Sequence, residues 1–323
     1  MASRGAAGAI VLTALDPHVQ RLLEKLTALG LRAEPALTVE QRRRSLADML
    51  ALGARQEPVG GIEERTFPGA LGPLRARIYS PCEAGSARLP AFIYLHGGGL
   101  VAGGLDTHDG ICRSLANACA CRLISIEYRL APEHPFPAAI EDAQAAVRWV
   151  AAQAAQLHAD ADRLVIGGDS AGATLAAVTC QMLVASRQVR PALQFLLCPI
   201  TAARAQTHSR RRFAQGYLLD AETLEHDIRH YLPSGADPYD PRVSPLWARE
   251  LAGLPPTCIH TAEFDPVRDE ARAYAERLQA SGVKTLYRCH SGMIHLFYAL
   301  ESLVPYTAVA YRMIGADVRA MLA

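Results

Sequence analysis

The sequence has almost no surplus of charge of either sign. It contains 33 basic and 32 acidic residues, which leaves a formal net charge of +1. This balance gives no indication of a nucleic-acid or membrane-surface partner. No apolar run approaches the roughly 18 residues that a bilayer-spanning helix needs, so we expect no stable membrane association. The one basic cluster, at 209–212, is interpreted as a solvated face or as an ion-pair donor.

The sequence also lacks the cysteine patterns of metal and redox sites. None of its eight cysteines belongs to a C-x-x-C pair, and no histidine spacing is typical of zinc, so we predict no metal site. Several cysteines lie in apolar runs, where cysteine behaves as a small hydrophobe, and this usage favours a reduced, cytoplasmic protein. Residues 5–12 resemble the apolar part of a secretion signal only weakly, because no convincing cleavage site follows them.

Short apolar strands and helical segments alternate along most of the chain. Half of its 323 residues are hydrophobic, enough for one large α/β domain with an accessory element or for two small domains. The alternation predicts an α/β fold with a mostly parallel central sheet and helices on both faces. We expect strands at 91–95, 122–127, 163–167, 193–198, 257–262 and 284–289, an edge strand or hairpin from residue 74, and helices at 109–120, 138–155, 171–187, 267–280 and 306–323.

Two helices are predicted before any strand of the sheet. Asp16 and Pro17 are suited to the cap and first position of one helix, which Gly30 closes. Thr38, with Gln41 three residues later, forms a capping box at the start of the other. Because these helices precede the sheet, we expect them to cover it rather than to lie inside the alternating pattern.

A second segment, at about 201–245, also interrupts the alternation. It is polar, then helical around 221–231, then rich in proline. An insertion at the carboxyl edge of such a sheet lies where these folds bind ligands. We therefore predict a helical cap built from residues 1–55 and this insertion, on an α/β domain that spans residues 56–323.

A serine lies at the junction between a predicted strand and a predicted helix. Ser170 follows the strand at 163–167 and precedes a helix, with Gly168 and Gly172 two places to either side. This G-x-S-x-G spacing is typical of a nucleophile elbow, in which a strained turn projects the serine hydroxyl. The free N–H groups at the helix start would favour a developing negative charge.

Three consecutive glycines follow the predicted strand at 91–95. His96 is followed by Gly97, Gly98 and Gly99, whose backbone N–H groups no side chain shields. An oxyanion hole needs such donors. The alternative, a phosphate-binding loop, would require a Lys-Ser/Thr pair or a G-x-G-x-x-G frame, and neither is present.

The catalytic acid and base can be narrowed from their position after two later strands. In this fold class a carboxylate and then a histidine follow the serine, each at the carboxyl end of a strand. Spacing alone leaves the acid open among Glu263, Asp265 and Asp269, and the base open between His290 and His295.

The chain resembles the hormone-sensitive-lipase-like family of α/β-hydrolase esterases. The matching motifs occur in the family's order between about residue 90 and residue 300, so the resemblance is specific. They are H-G-G-G at 96–99, Y-R-L-A-P-E-H-P-F-P-A-A at 128–139, G-D-S-A-G at 168–172, S-P-L at 244–246, G-L-P-P at 253–256, T-A-E-F-D-P-V-R-D-E at 261–270 and G-M-I-H at 292–295.

The resemblance implies a role for each catalytic position. It implies Ser170 as the nucleophile, His295 as the general base and Asp265 as the residue that orients the histidine. It also implies the α/β-hydrolase fold and the cap described above. The backbone N–H groups of the oxyanion hole would come from Gly98, Gly99 and Ala171.

Two positions depart from the family pattern. The family usually has glycine after the catalytic histidine, where this chain has Leu296. It also commonly has aspartate before the Y-R-L-A-P motif, where this chain has Glu127. Neither departure removes a catalytic group, but a side chain at Leu296 would narrow the pocket or shift the histidine loop.

The expected function is that of a cofactor-free serine carboxylesterase acting on short- to medium-chain acyl esters through an acyl-enzyme. Amidase, lactonase or deacetylase specificity on the same triad remains an alternative, because the triad serves any acyl transfer. A different class of function, a catalytically silent small-molecule receptor, is disfavoured by the intact triad. The resemblance also suggests a homodimer through the sheet edge. Candidate acyl-pocket residues are Leu100, Phe213, Tyr217 and Leu218.

Overall fold

Eight strands in the described part of the chain form one sheet. The computed structural model describes residues 13–28, 37–85, 88–187 and 189–323, so the segment at 5–12 and the predicted helix end at Gly30 lie outside it. The strands are β1 Gly61–Pro68, β2 Pro73–Ser80, β3 Leu89–Leu95, β4 Arg122–Ile126, β5 Ala159–Asp169, β6 Leu193–Leu197, β7 Thr257–Phe264 and β8 Thr285–Ile294.

The sheet is mostly parallel, as predicted. Its order is β1-β2-β4-β3-β5-β6-β7-β8. Strands β1 and β2 form an antiparallel hairpin, and β2 is antiparallel to β4. All pairs from β4 to β8 are parallel, so their carboxyl ends meet at one edge of the sheet.

Helices pack on both faces of this sheet. Successive residues of β3 show the two faces, because Ile93 joins one hydrophobic core whereas Phe92 and Tyr94 join the other. This alternation follows from the two-residue repeat of a strand. The helices are α1 Pro17–Ala28, α2 Val39–Gly53, α3 Asp109–Cys119, α4 Ala138–Gln153, α5 Ser170–Ser186, α6 His208–Arg212, α7 Ala221–Tyr231, α8 Arg268–Ala280 and α9 Tyr306–Leu322.

The two predicted N-terminal helices are present, with the expected starts. The Asp16 carboxylate accepts a hydrogen bond from the backbone N–H of His18 at 2.8 Å. Thr38 accepts from the N–H of Gln41, whose side chain accepts in turn from the N–H of Thr38, so the predicted capping box is confirmed. These bonds satisfy N–H groups that the first helical turn leaves without partners.

Strands β1 and β8 differ most from the prediction, and β5 begins four residues before its predicted start at residue 163. Strand β1 was not predicted, because five of its eight residues in succession are exposed and give no buried alternation. Strand β8 runs beyond residue 289 to Ile294, which pairs with Phe264 of β7 across an irregularity in register. The longer strand carries the backbone directly to His295.

The short helix α6 ties the insertion to helix α8. Arg210 forms a two-pronged ion pair with Glu270, with nitrogen–oxygen distances of 2.8 and 2.9 Å. The ion-pair interpretation of the basic cluster is therefore confirmed for Arg210. The Ser209 hydroxyl also donates to the Pro266 carbonyl at 2.8 Å, so the insertion is anchored beside the loop that follows β7.

Candidate active site

Ser170 occupies a strained position between β5 and α5. Its φ is +52°, in the left-handed region that side chains other than glycine rarely adopt. Gly168 and Gly172 permit this turn, because a Cβ on either would collide with the Leu95 carbonyl oxygen. The strand–turn–helix context predicted from the sequence is present, and the turn brings the hydroxyl to the carboxyl edge of the sheet.

A chain of two hydrogen bonds joins Ser170, His295 and Asp265. His295 Nε2 lies 3.0 Å from Ser170 Oγ, and His295 Nδ1 lies 2.7 Å from Asp265 Oδ2. The other carboxylate oxygen of Asp265 accepts from the N–H of Val267 at 2.9 Å. The three residues are 5, 2 and 0 % exposed, respectively. A buried Ser–His–Asp chain of this kind can pass a proton between serine and histidine while the carboxylate fixes the ring.

The alternative acids bind elsewhere. Glu263 accepts from Thr13 and, at 2.8 Å, from the N–H of Gly292. Asp269 accepts from the N–H of Ser209 at 2.8 Å. Both carboxylates therefore hold backbone segments around the site, and it is Asp265 that faces the histidine.

His290, the alternative base, also has hydrogen-bond partners away from Ser170. His290 is 1 % exposed and is therefore a buried residue. Its ring nitrogens lie 2.9 Å from His260 Nδ1 and 3.0 Å from the Tyr306 hydroxyl. The side chain points into β7 and α9 because strand β8 continues through this position.

The glycine loop after β3 lies against the elbow. Gly98 has a φ of +113°, and its carbonyl accepts from the N–H groups of Val101 and Ala102. Within the described residues, the N–H groups of Gly98 and Gly99 donate no hydrogen bond. Gly98, Gly99 and Ala171 line the same cavity as Ser170. The three predicted oxyanion-hole residues and the serine therefore border one cavity.

Asp169 connects this loop to the elbow, a role that the sequence analysis did not identify. Its carboxylate accepts from the Gly97 N–H at 2.8 Å and from the hydroxyls of Tyr94 and Tyr298 at 2.5 and 3.0 Å. Burial raises the pKa of Asp169, but the attraction of His108 and these hydrogen bonds outweigh burial and place the pKa below its usual value. An ionised carboxylate therefore holds the start of the glycine loop.

The cavity at Ser170 is largely apolar, and about 740 Å³ of empty space lies in it and in the open solvent at its mouth. The N-terminal helix α2 contributes Arg42 and Leu46, and helix α7 of the insertion contributes Asp227 and other residues. Both segments that the sequence analysis assigned to a cap therefore reach the cavity. Its apolar wall includes Leu46, Leu100, Ile200, Leu219, Leu224, Ile228, Val243 and Leu296.

Of the four predicted acyl-pocket residues, Leu100 lies in this wall. Phe213, Tyr217 and Leu218 do not line the cavity in the described structure, so this part of the prediction needs correction. Phe213 is fully buried, with its ring 4.9 Å from that of Tyr217 and 5.6 Å from that of Phe264. The aromatic residues instead form a cluster that supports the insertion.

One group of side chains in the described structure has the donor types of a metal site. Cys198, Asp265 and His295 each place a ligand atom within 4.8 Å of the others. Burial, followed by the neighbouring Asp265, raises the pKa of the Cys198 thiol well above its usual value. A thiol must lose its proton to bind a metal, so the environment opposes metal binding.

No described helix is long and apolar enough to cross a bilayer.

Comparisons with known proteins agree with this geometry. Residues 92–299 match a family model described as the alpha/beta hydrolase fold. The chain is 42% identical over 248 residues to the carboxylic ester hydrolase LipN of Mycobacterium tuberculosis, a match covering 75% of this chain and 65% of that protein. It is 40% identical over 233 residues to an ethyl acetate hydrolase of Pseudomonas putida, covering 72% of this chain and 73% of that protein.

A solved structure is similar over nearly the whole chain. The ester hydrolase EH1AB1 from the metagenome of Lake Arreo, complexed with a derivative of bipyridine phosphonate, is 40% identical. The match has a TM-score of 0.91 and covers 95% of this chain and 98% of that one. Sequence and structure therefore point to the same group of ester hydrolases.

Proposed function

This chain belongs to the hormone-sensitive-lipase-like family of α/β-hydrolases and is a carboxylic ester hydrolase, and on that basis we propose that Ser170, His295 and Asp265 are its catalytic triad. The observation that carries the proposal is the continuous hydrogen-bonded chain from Ser170 Oγ through the His295 ring to Asp265. Each role follows from the position of an atom in that chain.

Ser170 Oγ attacks the ester carbonyl carbon as His295 Nε2 takes the hydroxyl proton. The resulting oxyanion accepts hydrogen bonds from the N–H groups of Gly98, Gly99 and Ala171. His295 then gives the proton to the leaving alcohol, which departs and leaves an acyl-enzyme. Water, activated by the same nitrogen, hydrolyses this intermediate and restores Ser170.

The substrate class follows from the shape and polarity of the cavity. Leucine, isoleucine and valine side chains form most of its wall, which suits the hydrocarbon parts of an ester. For the acyl part of the ester we propose short- and medium-chain groups. Among the relatives, the Pseudomonas putida protein is named for a small ester of this kind.

Helices α1, α2, α6 and α7 are proposed to form the cap over this site. Arg42 of α2 and Asp227 of α7 support this assignment, because both line the cavity and bind each other. The cap would exclude water from the reacting groups and set the size of substrate admitted.

We further propose a cytoplasmic location and a homodimer. All eight cysteines are free thiols, and six of them are buried, which suits a reducing compartment. Strand β8 is the last strand of the sheet, so one of its edges is open to a second copy within the described structure. Light scattering of the purified protein would detect the dimer, and a monomer at micromolar concentration would contradict it.

Hydrolysis of p-nitrophenyl esters from acetate to palmitate tests the proposed function. We expect turnover that peaks at short chains, with a burst of p-nitrophenol as the acyl-enzyme forms. Ser170→Ala should lower kcat by a factor on the order of 10⁶. Ser186→Ala, at the opposite end of α5, is the matched control and should keep wild-type turnover. A folded Ser170→Ala variant that hydrolyses these esters at the wild-type rate would contradict the proposal.

A further inference from the structure

Leu296 has an unfavourable backbone conformation beside the proposed base. Its φ is +63° and its ψ is 10°, which places a leucine in the left-handed region. Its carbonyl accepts from the N–H of Ala299 at 2.8 Å, and the neighbouring His295 and Phe297 are buried. The surrounding chain therefore holds the backbone in this conformation. Strain retained at such a position is a reason to look for a functional role.

The side chain of Leu296 contributes to the cavity wall. Three leucines in the described structure have positive φ: Leu100, Leu218 and Leu296. Leu100 and Leu296 line the cavity at Ser170, whereas Leu218 does not. Leu218 is therefore a matched control, with the same residue type and backbone region but no contribution to the cavity.

The position of Leu296 relative to His295 indicates which part of an ester it meets. His295 Nε2 lies 3.0 Å from Ser170 Oγ and must pass its proton to the oxygen of the leaving alcohol. That oxygen must come within hydrogen-bond distance of the same nitrogen, so the alcohol part of the ester lies on the histidine side of the cavity. Leu296 follows His295 directly in the chain and lines this cavity.

We propose that Leu296 is a specificity-determining residue that limits the size of the alcohol part of the ester. This inference rests on the proposed esterase function and names the substrates of that site as esters of small alcohols. The branched leucine side chain fills space that a longer alkyl alcohol would need. The held backbone prevents the residue from moving aside.

Acetate esters of ethanol, butanol, hexanol and benzyl alcohol test this inference, with kcat and KM measured by acid release. Leu296→Ala keeps the backbone and shortens the side chain. The ratio of kcat/KM for hexyl acetate to that for ethyl acetate should rise about tenfold or more, mainly through KM, because apolar contacts discriminate by factors of this size per methylene. Leu218→Ala should leave the ratio within about twofold of the wild-type value. Leu296→Phe should lower the ratio.

Two results would overturn the inference. One is a folded Leu296→Ala variant whose ratio stays within about twofold of wild type. The other is a change confined to the acyl series of p-nitrophenyl esters, which would place Leu296 at the acyl side. If Leu296→Ala does not fold, the nearly equal-volume Leu296→Met carries the test, with an expected rise of about threefold because its side chain is unbranched.

The failure of this inference is distinguishable from the failure of the proposed function. If the esterase proposal is wrong, the Ser170→Ala variant keeps the wild-type turnover. If only the Leu296 inference is wrong, turnover depends on Ser170, but Leu296→Ala has the same preference among alcohols as wild type.

Discussion

Arg42 and Asp227 form a buried, two-pronged ion pair although 185 residues separate them in the sequence. Arg42 Nε donates to Asp227 Oδ1 at 3.1 Å, and Nη2 donates to Oδ2 at 2.9 Å. The carboxylate also lies against Gly99, where a Cβ would collide with it. The pair therefore joins helix α2, helix α7 and the glycine loop at one point of the cavity wall.

Arg42→Met should destabilise the protein strongly. The arginine and aspartate side chains are 11% and 7% exposed, so the substitution removes both arginine hydrogen bonds from a buried carboxylate. The nearby His226 Nδ1, 3.0 Å from Asp227 Oδ1, is then its remaining side-chain partner. The expected loss is about 3–5 kcal/mol in the free energy of unfolding, measured by chemical denaturation. Arg44→Met breaks the exposed pair with Glu40 on the same helix and should cost less than about 1 kcal/mol. Equal losses for the two variants would show that the buried pair has no special importance.

Gly98→Ala should lower activity while the protein remains folded. A Cβ at Gly98 would meet the Ala102 carbonyl oxygen, so the loop must shift and displace the proposed oxyanion donors. Loss of such a donor lowers kcat by about 10²- to 10³-fold. Gly235→Ala is the control, since Gly235 also has a positive φ of +84° but has open space around its Cβ position. Activity of Gly98→Ala close to that of the control would argue against this oxyanion hole.

Asp169→Asn should lower both stability and activity. The amide has one acceptor oxygen, so it cannot accept from Gly97, Tyr94 and Tyr298 as the carboxylate does. We expect the free energy of unfolding to fall by about 2–4 kcal/mol at pH 7. We also expect kcat to decrease on the order of 10- to 100-fold, because the glycine loop loses hydrogen bonds that hold it in place.

The stability lost in Asp169→Asn should depend on pH. Because the folded pKa of Asp169 is below its usual value of 3.8, the ionised group stabilises the fold above that pH, and this contribution is lost as the pH falls through the folded pKa. The difference in the free energy of unfolding between wild type and variant, measured by denaturation at several pH values, should therefore become smaller below about pH 4. Asp162→Asn, at an exposed site, should show little effect. A difference that is constant with pH would contradict the assignment of an ionised Asp169.

His290 should make the protein less stable as the pH falls from about 6.5 to about 4. Burial, with a smaller contribution from Arg288, lowers its pKa from 6.5 to about 4. In this range the unfolded chain binds a proton that the folded chain does not, so acid favours unfolding by up to about 3 kcal/mol for this group. His290→Gln should reduce the pH slope of the free energy of unfolding, whereas exposed His134→Gln should not. An unchanged slope in His290→Gln would refute the assignment.

The sheet and the elbow could be predicted because their signals are local. Buried parallel strands such as β3 and β7 are continuous apolar runs, and Gly168 and Gly172 mark the turn at Ser170 without any distant partner. Strand β1 escaped prediction because it is the edge strand with mostly exposed side chains, and residues such as Glu63 and Glu64 give no apolar pattern.

The walls of the site depended on contacts that are distant in sequence. Phe213 and Tyr217 pack against Phe264, about 50 residues away, and nothing near them in the sequence indicates which way their rings turn. The choice between His290 and His295 likewise depends on the length of β8, which its pairing with β7 determines. Local patterns located the chemical groups, but packing decided which of them meet.

The three residues of the proposed triad follow strands β5, β7 and β8, and β6 separates the first two in the sheet. Strands from the first half of the chain alone cannot bring these three residues together. During synthesis or refolding, hydrolysis can therefore begin only after the last strand has docked. Recovery of ester cleavage would therefore report that β5, β7 and β8 have all taken their places in the sheet. Ester cleavage could thus be used to measure complete folding of this part of the domain.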